Sequence, residues 1–241
     1  MDCCRLCGQT KPLLESHILP EFVYRPAYDD MHTAIQLDID KGKRSKRQKG
    51  FVERLLCAEC EHIFSTWENY FSRIWLHPSH RIRPQLPNRN VVVEIPGIDY
   101  VRFKLFQLSI IWRAGVSSCA EFRNVDLGTH EVKIRKCLNA GDPGDPDKYP
   151  LICFALRDPL TEEFYDKILR APEAARLYGQ HFYSMIYGGV VWTYVISNHR
   201  DSRIEKVNCF RRDGILKLAV QDWTENPSVI KLAKHIQGKM S

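Results

Sequence analysis

Apolar side chains recur at helical spacing in several segments, which predicts at least four helices. The apolar positions of the first segment are Ile63, Trp67, Tyr70, Phe71 and Ile74. They predict a helix from about Ser65 to Trp75 with one buried face. The run FKLFQLSIIWRAGVSS, residues 103–118, is apolar almost throughout and predicts a helix inside the core. GTHEVKIRKCLNAG, residues 128–141, predicts a helix capped by Gly141, and NPSVIKLAKHI, residues 226–236, predicts a closing helix.

Short apolar runs separated by turn residues predict the strands. Residues 13–18 predict an extended segment, and NVVVEI and LICFAL predict single strands at 90–95 and 151–156. Two glycines between FYSMIY and VVWTYVI predict a hairpin turning at Gly188–Gly189. A second hairpin is predicted across Arg212–Gly214, between KVNCFRR and ILKLAV. Helices and antiparallel strands in this arrangement indicate an α+β fold.

Prolines and arginines interrupt the pattern at HPSHRIRPQLPNRN, residues 77–90, which predicts a boundary between two parts. The first, residues 1–88, contains the closely spaced cysteines. The second, residues 89–241, is an α+β domain of unknown role. The sequence contains none of the strings GxGxxG, GxxxxGK[ST] and GxSxG. It therefore gives no support for a glycine-rich loop that binds nucleotide phosphates or for a nucleophilic serine of the hydrolase type.

Residues 177–198 contain no Asp, Glu, Lys or Arg and are long enough to span a bilayer. The hairpin signal at Gly188–Gly189 and several polar side chains in the segment argue against a membrane helix. Composition adds little: a chain of 241 residues with a net charge of +6 is ordinary for a soluble protein. The start MDCCRLCG lacks the basic and apolar regions of a signal peptide, so a cytoplasmic location is expected.

Nine cysteines are present, and four of them form two CxxC pairs. In a reducing compartment such pairs are more often metal ligands than disulfides, so Cys4, Cys7, Cys57 and Cys60 are predicted to bind one structural zinc ion. Cys3 is an alternative to Cys4 as a ligand. The remaining cysteines stand singly in apolar surroundings and are predicted to be small core residues, at Cys119, Cys137, Cys153 and Cys209.

The two cysteine pairs occur in a distinctive order of motifs. A CxxC is followed by SHILPEF, residues 16–22, and then by LCAEC with polar residues directly behind it. This order resembles that of the HNH endonucleases of the His-Me finger class. The resemblance covers roughly the first 75 residues, and the chain is also similar to bacterial proteins that carry an HNH label. It implies a treble-clef, or ββα-metal, zinc module and a metal-dependent endonuclease that hydrolyses phosphodiester bonds in DNA.

The resemblance implies roles for three residues. His17 matches the general base, which takes a proton from the attacking water. His62, or else Glu61, matches a ligand of a catalytic Mg²⁺ or Mn²⁺ ion. The sequence departs from the family pattern at Ser16, where an acid or histidine is expected, and before Cys57, where FVERLL lacks the usual asparagine. Glu53 is a candidate substitute for that asparagine.

A basic run, KGKRSKRQK at residues 41–49, lies between the two cysteine pairs and contains six basic residues in nine. It is either a solvated loop or a loop that contacts DNA phosphates through Lys43, Arg44, Lys46 and Arg47. The alternative to an enzyme is a catalytically inactive zinc module that binds nucleic acid or a protein partner. The sequence indicates no membrane partner and leaves the oligomeric state open.

Overall fold

The computed structural model describes most of the chain. The described residues are 2–31, 34–38, 43–47, 49–77, 82–86, 90–177, 179–197, 199, 201–205, 209–227 and 230, with only the backbone described at 34–38 and 43–47. Within these ranges, no helix combines the length and the apolar character needed to cross a bilayer. The predicted closing helix at 226–236 falls mostly outside the described residues.

Helices and antiparallel strands make up the described fold, as the sequence predicts. The helices are α1 Ala58–Trp75, α2 Tyr100–Val116, α3 His130–Ala140 and the short α4 Ser202–Glu205. The strands are β1 Leu13–His17, β2 Ala34–Asp38, β3 Lys43–Arg47, β4 Val52–Cys57, β5 Val92–Ile95, β6 Leu151–Arg157, β7 Arg170–Leu177, β8 Gln180–Tyr187, β9 Val190–Ile196 and β10 Leu216–Asp222.

Three sheets are formed by these strands. The largest has six strands in the order β5-β10-β6-β9-β8-β7, and β10 runs parallel to β6 while the other neighbouring pairs are antiparallel. β1 pairs antiparallel with β4, and β2 pairs antiparallel with β3. Residues 43–47 of the basic run therefore form a strand of a two-stranded ribbon, which corrects the prediction of a loop at these positions.

Helix α1 begins seven residues before its predicted start. Cys57 ends β4 and is the residue that precedes the first helical turn, so the second cysteine pair lies at the junction of strand and helix. Glu59 and Glu61 occupy the first turn, where the helix dipole favours acidic side chains. The buried side chains of α1 are Cys60, Phe64, Trp67, Tyr70, Phe71 and Trp75. The prediction that Ile63 belongs to this face is wrong, because Ile63 is exposed.

The two predicted hairpins had different outcomes. The turn at Gly188–Gly189 joins β8 to β9, and both glycines adopt positive φ angles of 58° and 76°, which a two-residue hairpin turn requires. The prediction of a second hairpin across Arg212–Gly214 is wrong. Strand β10 pairs with β5 and β6, and the described part of KVNCFRR, from Cys209 on, forms only an isolated bridge between Cys209 and Ile152. The segment ILKLAV is nevertheless a strand, because its partners come from distant parts of the chain.

Helices α1 and α2 pack on one face of the six-stranded sheet. The Phe71 ring of α1 stacks on Phe106 of α2, with centroids 4.1 Å apart, and meets Trp192 of β9 edge-on at 6.0 Å. Alternate residues of β6 face this core, while Ile152 and Leu156 contribute to small apolar clusters on the other face. Burial on both faces explains why LICFAL is apolar without alternation.

Contacts cross the predicted boundary at residue 88. One hydrophobic cluster runs from Cys4 to Val220 and includes side chains from both parts. The Asn139 amide of α3 donates to the Leu6 carbonyl at 2.9 Å, between the first two cysteine ligands. The Glu53 carboxylate of β4 accepts from the backbone and hydroxyl of Ser118 just after α2. The division at residue 88 stays a prediction about folding units, and the shared core favours their unfolding together.

Candidate metal centre and adjoining acidic cleft

The four predicted zinc ligands come together at one point. The sulfur atoms of Cys4, Cys7, Cys57 and Cys60 all lie within 4.8 Å of one another. Cys7 Sγ and Cys57 Sγ are 3.9 Å apart, which matches the edge of about 3.8 Å that a sulfur tetrahedron has around zinc. The donor set and its spacing therefore fit a closed, four-coordinate ion such as zinc, and such a site serves structure rather than catalysis.

The local environment shifts the pKa values of these thiols in different directions. Burial alone raises the pKa of Cys4, but backbone N–H groups of Cys7, Cys57 and Leu6 outweigh it and bring that pKa down to about 7. One of these donors, Cys57 N, is 3.4 Å from Cys4 Sγ. Burial and the neighbouring sulfurs raise the pKa of Cys60 instead. Four thiolates at this spacing repel one another, so the full set of anions requires a bound cation.

Cys3 is not part of this group, so the structure favours Cys4 over Cys3 as a candidate ligand. Cys4 is fully buried, whereas Cys3 is exposed and its Sγ lies 3.2 Å from the Gly8 carbonyl oxygen. Of the four single cysteines, Cys153 and Cys209 are buried as predicted, while Cys119 and Cys137 are only partly buried against the core.

His17 lies at the end of β1, and the residue that pairs with Cys57, Leu13, lies at the start of the same strand. Its strand pairs with β4, and His17 is opposite Val52. The His17 carbonyl accepts a hydrogen bond from Arg113 Nη1 of α2 at 2.7 Å, while the imidazole side chain keeps 36% of its surface exposed. The backbone is therefore fixed by two elements, and the ring itself is partly exposed to solvent. The polar side chains grouped near it are here called the cleft: Ser16, Glu21, Glu61, Glu68 and Arg113.

Glu61 belongs to this cleft and lies one turn into α1. Burial raises the pKa of its carboxyl, and Glu68 raises it further, while Ser16, Arg113 and His17 act in the opposite direction. Ser16 is fully buried on β1, and its hydroxyl is near enough to the Glu61 carboxyl to lower that pKa, although neither Ser16 Oγ nor Glu61 Oε1 makes a hydrogen bond of full geometry among the described residues. Buried polar atoms without partners are rare and costly. These two oxygens therefore mark a position where a cation or an ordered water would be stabilised.

Glu68, two turns after Glu61 on the same face of α1, has a buried cationic neighbour. Its Oε1 is 2.7 Å from Arg113 Nη1, and the Arg113 side chain is 1% exposed. The Arg113 guanidinium also donates to the Ser109 carbonyl and lies over the Phe64 ring. This ion pair joins α1 to α2 and closes the inner end of the cleft.

The structure separates the candidates that the sequence left open. Glu61 is partly buried and the charges of Arg113 and His17 lower the pKa of its carboxyl, whereas His62 is exposed, so Glu61 is the better candidate for a member of the cleft. Glu53 is engaged elsewhere. Burial alone would raise the pKa of Glu53, but hydrogen bonds from Ser117 and Ser118 lower it. The side chains of Lys43, Arg44, Lys46 and Arg47 lie outside the described residues, and their backbone forms β3.

Sequence reasoning missed three members of the cleft, Glu21, Glu68 and Arg113. Glu21 lies four residues after His17 in the motif SHILPEF, and its carboxylate approaches the imidazole. Spacing within one element gave a signal for Glu68, which follows Glu61 by seven residues and so shares its helix face. The sequence gave no signal for Arg113, because only the packing of α2 on α1 brings this residue to the cleft.

No protein-family model, curated protein or solved structure matches this chain.

Proposed function

We propose that this protein is a metal-dependent endonuclease that hydrolyses phosphodiester bonds in DNA, with the cleft of His17 and Glu61 as its active site. The observation that carries the proposal is a partly exposed histidine near a partly buried carboxylate, Glu61, and a buried hydroxyl, Ser16, whose Oε1 and Oγ atoms make no hydrogen bond of full geometry among the described residues. A neutral imidazole next to an oxygen-rich site is the combination that general-base hydrolysis of a phosphodiester requires.

We also infer that residues 1–88 form a treble-clef zinc module of the HNH type. Three features support this assignment. Cys4 and Cys7 lie on a turn before β1, β1 and β4 form an antiparallel pair, and Cys57 and Cys60 lie at the start of α1. The zinc ion would join the turn to the helix and thereby hold β1, which contains His17, against the first turn of α1.

His17 has the role of general base in this proposal. In its neutral form the imidazole takes a proton from a water molecule, and the water oxygen attacks phosphorus. The fixed carbonyl of His17 limits movement of the strand, so the ring is held near the position where the water would bind. The start of α1 adds its N-terminal dipole to the stabilisation of a phosphate at the same place.

Glu61 and Ser16 are the residues that would hold a divalent cation. When bound, Mg²⁺ or Mn²⁺ would stabilise charge on the phosphate and on the leaving oxygen. Within the described ranges, the four cysteines are the only group of three or more candidate ligands whose donor atoms come within 4.8 Å of one another. A cation at Glu61 would therefore take most of its ligands from water and phosphate, as Mg²⁺ commonly does.

Replacing His17 with alanine tests the proposal. The His17→Ala protein is expected to cleave supercoiled plasmid DNA at least about 100-fold more slowly in Mg²⁺ or Mn²⁺, because a general base typically contributes that much. Its zinc content and melting temperature should be nearly unchanged, since the ring is partly exposed. His62→Ala is the matched control and should retain cleavage, because His62 lies outside the cleft.

Ser16→Asp is a complementary test, since a carboxylate beside Glu61 should strengthen binding of Mn²⁺. Absence of cleavage by both the wild type and Ser16→Asp, across divalent metals, would contradict the endonuclease proposal. A fall in melting temperature for His17→Ala would then assign His17 a structural role. The protein would be a zinc module that binds a nucleic acid or a protein without cutting it.

The ribbon of β2 and β3 is proposed to bind the DNA backbone. Lys43→Gln combined with Lys46→Gln is expected to weaken DNA binding and to reduce its dependence on salt, by about 0.9 in the log–log slope for each phosphate that the ribbon no longer neutralises. Lys133→Gln with Lys136→Gln removes the same charge from exposed positions of α3 and is the control. Equal salt slopes for the two double variants, measured by fluorescence anisotropy, would mean that the ribbon does not bind phosphates.

A further inference from the structure

A carboxylate that the sequence analysis did not identify faces the proposed base. Glu21 Oε2 is 3.5 Å from His17 Nε2, and the two side chains are exposed to a similar extent, 33% and 36%. The two residues lie four positions apart in HILPE, and Pro20 is the residue that precedes the short 3-10 turn Glu21–Val23. The distance is slightly longer than that of a hydrogen bond, as is often the case in substrate-free active sites.

Glu21 is itself held in place. Its second oxygen, Oε1, accepts a hydrogen bond from the Tyr28 hydroxyl at 2.8 Å. Burial raises the pKa of Tyr28 to about 12, and the hydrogen bond and negative charge of Glu21 contribute to this shift, so the phenol keeps its proton and donates. The other oxygen, Oε2, is buried and has no hydrogen-bond partner among the described residues. One oxygen is thus fixed by Tyr28, and the remaining one is directed at the imidazole.

Contacts with residues other than Glu21 fix the backbone of His17 but not its ring. Arg113 holds its carbonyl, and the next residue, Ile18, donates its N–H to the Phe51 carbonyl at 2.8 Å. These bonds place the Cα atom and leave rotation of the ring to be set by side-chain neighbours. Of the charged side chains described near the ring, Glu21 is the one that approaches a ring nitrogen directly.

We propose that Glu21 is a positioning residue that holds the proton of neutral His17 on Nε2 and leaves Nδ1 free to act as the base. The tautomer of a histidine is set by the hydrogen bond that its other nitrogen makes. This role rests on the proposed hydrolysis. Glu21 lies four residues after the base in the same motif, SHILPEF.

In the proposed step, one O–H bond of the attacking water breaks, and its proton moves to Nδ1 of His17. The water oxygen forms a bond to phosphorus while the bond from phosphorus to the leaving oxygen breaks, and the leaving oxygen takes a proton from solvent. The imidazole becomes an imidazolium with protons on both nitrogens, and the negative charge of Glu21 stabilises this cation.

The test compares Glu21→Gln with Glu15→Gln in the full-length, zinc-containing protein. Glu15 is exposed on the same strand as His17, so its replacement is a control for loss of one negative charge. We expect Glu21→Gln to lower the rate of plasmid nicking in Mn²⁺ by about 10- to 100-fold, as is usual for residues that orient a catalytic side chain. The apparent affinity for DNA and the zinc content should not change.

Nitrogen-15 NMR of His17 provides a readout independent of cleavage. The wild-type protein should show neutral His17 with its proton mainly on Nε2, and Glu21→Gln should show a mixture of the two tautomers. If the wild type does not nick DNA, the proposed function fails, and the NMR result alone decides the role of Glu21. Nicking by Glu21→Gln at the wild-type rate, or an unchanged tautomer, would overturn the positioning role.

Discussion

Replacing Cys4 with serine is expected to release zinc and to unfold the first part of the chain. Cys4 is fully buried among three other sulfurs, and a hydroxyl at that place cannot supply the thiolate that completes the tetrahedron. Binding of a structural zinc contributes about 10 to 16 kcal/mol to folding in small zinc modules, so loss of one ligand removes a large share of that stabilisation. Metal analysis of the purified protein should find one zinc per chain in the wild type and much less in the variant.

Cys3→Ser is a control that the sequence itself supplies. Cys3 is adjacent to Cys4 but exposed and outside the sulfur group, so its replacement should leave zinc content and melting temperature unchanged. Equal zinc loss in both variants would mean that Cys3 and Cys4 share the ligand position. A wild-type protein without zinc, or one with a Cys7–Cys60 disulfide under reducing conditions, would contradict the metal assignment.

Replacing Phe71 with alanine is expected to lower the free energy of unfolding by about 3 to 5 kcal/mol. Phe71 is fully buried and touches Phe106, Trp192 and Tyr187, all of which lie beyond residue 88. Because this ring fills space between the two predicted parts, its loss should destabilise both. Urea unfolding followed by hydrogen exchange should show residues 52–75 and residues 151–196 losing protection in the same transition.

Ile63→Ala, on the exposed side of the same helix, should cost about 1 kcal/mol or less. Two separate unfolding transitions, with only the first one shifted by Phe71→Ala, would show that the chain folds as two independent units. In that case the boundary at residue 88 would separate two domains that unfold independently. A single shifted transition would show that the shared core makes the two parts one cooperative unit.

Several elements could be predicted because their physical causes are local. Gly141 ends α3 with a positive φ of 63°, a conformation that glycine adopts without strain. The turn at Gly188–Gly189 has the same cause, since both glycines supply the angles that the hairpin needs. The apolar run of α2 is buried almost throughout, so its composition alone indicated its place in the core. In each case the relevant interaction lies within a few residues of chain.

Other elements depend on partners that are distant in sequence. Strand β7 contains Pro172 and little alternation, and it forms because it pairs with β8 at the edge of the sheet. The sequence predicts that β10 pairs with the residues just before it, but it pairs with β5 and β6 instead. The predicted start of α1 is too late because its first turn is polar, and the tertiary site of the cysteines, rather than an apolar stripe, fixes that turn.

The sequence alone identified the four cysteines that come together in the candidate metal centre, because cysteine spacing reflects a geometry that any fold must satisfy to bind one ion. It also determined α2, α3, most of α1 and the first hairpin through local periodicity and turn chemistry. Only the tertiary structure decided which polar residues surround His17. Glu21, Glu61, Glu68 and Arg113 come from three elements, and their meeting depends on how α1 and α2 pack against β1. Side-chain burial and charge pairing are properties of that packing, so no pattern along the chain could specify them.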